Sequence, residues 1–115
     1  MRKVRKKQKN YLKLSEMLKD KISDSTIFKV FQESLDDFCK SFDITNVRII
    51  FIPYTVRVIT DNTYAWHKGH HEQLCKYFDL KLVRYNYAQE EDSICVTYTY
   101  AAVTDDVMEL DFDMI

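Results

Sequence analysis

Glycine and proline are almost missing from this chain: Gly69 and Pro53 are the single examples of each. With one glycine the sequence contains neither GxGxxG nor GxxxxGK[ST], which excludes the usual backbone cradles for nucleotide phosphates. Its turns must instead be made by Asp, Asn, Ser and Thr. Cysteine is sparse and unpaired. Cys39, Cys75 and Cys95 form an odd set without CxxC spacing, so they read as reduced, buried thiols rather than as a disulfide framework. The longest apolar run, Ile49–Ile52, is far too short to cross a bilayer. The basic N-terminus is not followed by an apolar stretch, so the expectation is a cytoplasmic protein without a signal peptide and without membrane contact. The last absence is of one charge sign: residues 89–115 contain no Lys or Arg.

What is present is apolar enough for a core. At 115 residues, with 46% apolar residues, seven Phe and eight Tyr, the chain can bury one core and has no room for a second. A single domain over residues 1–115 is therefore expected. The use of Lys, Asn, Ile, Tyr, Phe and Asp resembles that of small proteins from low-G+C bacteria and their phages.

Charge is arranged as a gradient hidden by a net charge of −1. Residues 1–21 hold nine Lys/Arg against two acids, residues 22–88 hold eight of each sign, and residues 89–115 hold eight acids alone. A basic head (1–10) and an acidic, apolar tail (104–115) thus flank a neutral body, and each end suits a different charged partner.

Periodicity predicts the elements. Val4, Tyr11, Leu14, Leu18 and Ile22 mark a narrow helical stripe. Ser23–Thr26 offers helix caps, and Ile27, Phe31, Leu35, Phe38 and Phe42 form the stripe of a second helix. Two β-branched runs, 47–52 and 55–60, flank Pro53-Tyr54 and predict a hairpin that pairs Arg48 with Ile59 and Arg57 with Ile50. Because both its faces carry bulky apolar groups, this hairpin is expected inside a sheet or covered on both faces. Residues 63–79 read as a third helix weakened by Gly69. Strands at 80–87 and 94–103, around a polar 89–93 loop, complete an α-α-β-β-α-β-β order. The expected fold is α+β, with a four-stranded, mostly antiparallel sheet and helices packed on it.

Three constellations carry chemistry. All three histidines lie in Trp66-His67-Lys68-Gly69-His70-His71-Glu72. On a helix His67, His71 and Cys75 would share a face, and imidazole with thiolate is a zinc ligand set. No fourth ligand is marked, so no metal or other cofactor is expected. The competing reading makes His67, His70, Leu74 and Phe78 the inward stripe of that helix.

The basic head, Arg2, Lys3, Arg5, Lys6, Lys7 and Lys9 with Tyr11 and Lys13, could release counterions from a polyanion and bind nucleic acid without sequence preference. The acidic end, Glu90, Glu91 and Asp92 with Asp105, Asp106, Glu109, Leu110, Asp111, Phe112 and Asp113, alternates carboxylates with hydrophobes. Such a segment either packs as an edge strand or enters a basic, apolar groove. Glu109-Leu110-Asp111-Phe112 resembles the short acidic-hydrophobic peptides by which bacterial and phage proteins dock on sliding clamps, without the Gln that usually opens them.

No complete catalytic motif is present. The function expected is that of a non-enzymatic interaction protein, a small phage- or mobile-element-type inhibitor related in action to anti-CRISPR proteins and nucleic-acid mimics. It would bind a basic, nucleic-acid-handling protein through its acidic surface. A nucleic-acid-binding regulator working through the head, and a metal-dependent enzyme at the histidines, are the alternatives. A homodimer is compatible with either binding role.

Overall fold

A computed structural model describes residues 24–52 and 54–115. The basic head, the Val4–Ile22 stripe and Pro53 lie outside the described residues, as do the side chains of Asp24, Ser25 and Ile27.

Helix α1 runs Asp24–Ser41. Its stripe is buried as the spacing predicts: Phe31, Leu35 and Phe38 are fully enclosed, and Phe42 is half-buried. Strand β1 (Arg48–Ile52) turns into β2 (Thr55–Thr60), with Arg48 opposite Ile59 and Ile50 opposite Arg57 as expected. Helix α2 (Lys68–Phe78) leads into β3 (Leu80–Glu90) and β4 (Ser93–Ala102), and a 3-10 turn at Phe112–Met114 ends the chain. The fold is α+β: the strands form one antiparallel sheet in the order β1-β2-β4-β3.

Among the described residues five take left-handed backbone angles, namely Asp43, Asn46, Tyr54, Asp79 and Glu91. Three of the five are Asp or Asn, the side chains that tolerate this region best after glycine. The scarcity of glycine is thus met at the turns themselves.

One face of the sheet holds the core. Ile49, Phe51, Val56, Val58, Val96, Tyr98, Tyr100 and Leu82 alternate inward along their strands and pack against Phe31, Phe38, Leu74 and Phe78. At the β1 end Phe31 stacks on Phe51 at 5.0 Å and meets Phe78 at 5.5 Å. The opposite face carries Arg48, Ile50, Ile52, Arg57, Ile59, Thr97 and Thr99. Here the first hairpin departs from expectation. β1 is an edge strand of the described sheet, and only β2 of the hairpin lies inside it. The isoleucines of this opposite face, Ile50, Ile52 and Ile59, are half-buried.

Two other boundaries shift. α2 begins at Lys68 rather than near Thr63, because the His67 ring caps it there. β3 continues to Glu90, and the predicted five-residue loop contracts to a tight turn at Glu91-Asp92.

Candidate functional site

The start of α2 places the histidines. His67 stands before the first turn with extended angles (φ −114°, ψ 179°), and its Nδ1 accepts the Gly69 N–H at 3.0 Å. Its ring stacks on His70 at 3.8 Å. A Cβ added to Gly69 would meet the His67 ring at 2.9 Å. The glycine that weakens the helix is therefore the residue that lets this cap close.

His71 is the histidine turned inward, with Leu74 and Phe78. The inward stripe is thus His71, Leu74 and Phe78, not His67, His70, Leu74 and Phe78. Of the expected ligand trio, His71 and Cys75 do meet, with Sγ 3.9 Å from Nδ1, while His67 caps the helix at the surface. Among the described residues no group of three ligating side chains could hold a metal ion.

His71 belongs to a buried polar chain. Trp66 Nε1 donates to Tyr100 Oη at 3.0 Å, and Tyr100 Oη lies 3.0 Å from His71 Nδ1. Indole can only donate, so the phenol proton is left to seek an acceptor, and His71 Nδ1 provides one. With its proton on Nε2, neutral His71 completes this chain as the acceptor. Burial holds the His71 pKa below its ordinary value of 6.5, although Glu109, Glu72 and Asp113 pull it upward. Burial also pushes the Tyr100 phenol far above its usual range. The Cys75 thiol is raised to about 12, first by burial and then by Glu109 and Glu72, so it is not a thiolate at neutral pH.

The acidic tail completes the site by wrapping the edge of β3. Leaving β4, Val103 N donates to Asp79 O at 3.2 Å. Lys81, on the outer face of the sheet, then donates its ammonium to the carbonyls of Thr104 (2.6 Å) and Val107. Leu110 N crosses the edge to Leu82 O at 2.7 Å. On the helix side, Phe112 stacks on His71 at 4.4 Å and on Tyr98 at 5.6 Å, and Asp113 pairs with Lys68 at 3.0 Å. The tail is a strap held from both faces of the sheet. Between the strap and α2 lies a cleft of about 360 Å³, lined by Lys68, His71, Glu72 and residues 109–113.

The strap fixes where the carboxylates point. Asp105, Asp106, Glu109, Asp111 and Asp113 are all exposed, and among the described residues Lys68–Asp113 is the only ion pair. Phe112 is half-buried within its own chain, whereas Leu110 remains 37% exposed. Glu90, Glu91 and Asp92 sit apart at the β3–β4 tip, roughly 25 Å along the strand from Leu82 at ~3.3 Å per residue. The acidic residues therefore make two displays rather than one. Sequence reasoning missed three members of this arrangement: Lys81, Trp66 and Tyr100. An isolated Lys between Leu80 and Leu82 in an apolar strand was the available signal for the first.

Comparison with protein-family models, with curated proteins and with solved structures finds no match to this chain.

Proposed function

We propose that the protein is a non-enzymatic binding protein that presents the carboxylates of its strapped C-terminal segment to a basic, nucleic-acid-handling protein. The observation that carries this reading is the strap itself. Its backbone and Phe112 are committed to the fold, while four of its five carboxylates are exposed and pair with no described cation. Fixed, uncompensated negative charge repels itself and is stabilised by a cationic partner. It also needs little ordering when that partner arrives. A basic channel that ordinarily receives phosphates fits such a display, so the class favoured is the small inhibitor of phage or mobile-element type. A clamp-docking peptide is favoured less, because Phe112 would first have to leave His71 and Tyr98.

Capture from lysate with the full chain as bait, with and without nuclease, tests the reading. The expected result is a basic protein retained after nuclease treatment and released by salt. Retention of nucleic acid alone, lost on nuclease treatment, would move the function to the basic head.

A further inference from the structure

The sheet has two outer edges, and the chain treats them differently. Along β1, the Gln32 side chain donates to Ile49 O and accepts from Phe51 N, both at 2.9 Å, as a neighbouring strand would. Along β3, the strap closes only the proximal end, at Leu82. From there to the tip, no described residue bonds to the outward backbone groups.

The register says which groups these are. Asp79 O accepts from β4 and Leu82 O accepts from outside the sheet, so the two orientations alternate along the strand. The bulge absorbs Val83, Arg84 faces Thr99, and Glu90 closes the tight turn against Ser93. Arg84, Asn86, Ala88 and Glu90 therefore turn their backbone groups toward β4. Tyr85, Tyr87 and Gln89 turn theirs outward. An edge with three consecutive open positions, no Pro or Lys, and no described element covering it is a template for another strand.

We propose that this half of β3 pairs antiparallel with β3 of a second copy about a two-fold axis at Tyr87, joining two four-stranded sheets into one. Charge selects both the occupant and the register. Centred on Tyr87, the pairing sets Arg84 opposite Glu90 of the second copy, and Glu90 opposite its Arg84. Tyr85 meets Gln89, Asn86 meets Ala88, and the two Tyr87 rings, each 47% exposed in the single chain, meet across the axis. Tyr85, Tyr87 and Gln89 would exchange about six backbone hydrogen bonds. Sliding the centre to Tyr85 separates Arg84 from Glu90 and drives the second copy's tip into the strap at Leu82. The contact is isologous, so it closes as a dimer rather than growing into a fibre. It uses neither the strap carboxylates nor the cleft, so it stands independently of the partner reading above.

Sedimentation velocity of the full chain over a range of concentrations tests the proposal. The wild type is expected to show a concentration-dependent monomer–dimer equilibrium. Arg84→Glu creates two like-charge cross-strand pairs and is expected to weaken the dimer about tenfold or more. Arg84→Glu combined with Glu90→Arg restores both pairs and is expected to return the dimer to near wild-type strength. As a second readout, Tyr87→Cys places two Cα atoms at about 5.5 Å across the axis, within disulfide reach, and is expected to give a covalent dimer that the wild type does not form. A wild type that is monomeric at every concentration overturns the proposal. So does a dimer indifferent to Arg84→Glu, or one that the double exchange fails to restore.

Discussion

Tyr100 is the residue on which the buried polar chain turns. Its hydroxyl receives the Trp66 indole and faces His71 Nδ1, each at 3.0 Å. Replacing it by Phe removes one oxygen and leaves two polar groups without partners. The expected loss is about 2–6 kcal/mol, because each of the two orphaned buried groups costs ~1–3 kcal/mol. Urea unfolding of Tyr100→Phe measures it, and a loss under about 0.5 kcal/mol would mean that water replaces the hydroxyl. The same chain predicts a pH dependence with a definite sign. Burial keeps the folded His71 pKa below 6.5, so the unfolded chain takes up a proton that the folded chain resists. Stability is then complete above about 6.5 and falls as pH drops from there toward the folded pKa. His70, also lowered by burial and by His67, acts in the same direction. His71→Asn keeps an acceptor for Tyr100 but cannot titrate. Its unfolding free energy should fall less than that of the wild type between about pH 7.5 and 5.

At the scale of elements, the strap and α2 show which parts of the fold were readable. α1 was legible because Phe31, Leu35 and Phe38 repeat at helical spacing and nothing in the chain competes with that stripe. The first hairpin was legible down to its register, because Pro53-Tyr54 leaves few loop lengths to choose from. The start of α2 was not, since a histidine ring does the capping and histidine is no ordinary cap residue. The strap was half legible. Its alternation of acid and hydrophobe implied packing or binding, but the sequence does not reveal that Lys81 reaches two carbonyls more than twenty residues away. This account predicts that Lys81→Met frees residues 104–107 while leaving the sheet intact. Hydrogen exchange at Leu110 and proteolysis within 103–111 should both accelerate, with a stability loss of about 1–3 kcal/mol for the charged hydrogen bonds. Unchanged exchange at Leu110 would mean that Phe112 alone holds the strap.

For the whole molecule, the sequence shows the charge gradient but not its geometry. Eight carboxylates occupy residues 89–115, yet the sheet divides them between the hairpin tip and the strap. Only the strap set is joined to a cleft, His71 and a docked aromatic ring. The two groups thus make separable contributions to any partner contact. Rim charges of this kind act mainly on association rate and on salt dependence. The most direct test of the central claim replaces Asp105, Asp106, Glu109 and Asp111 with Asn or Gln, leaves Lys68–Asp113 intact, and measures both the thermal midpoint and the rate at which the captured basic protein associates. The account predicts a midpoint equal to or slightly above wild type, because self-repulsion is relieved, together with association slowed about tenfold or more at low salt. An unchanged association rate would contradict it, as would an equal slowing when only Glu90, Glu91 and Asp92 at the tip are replaced.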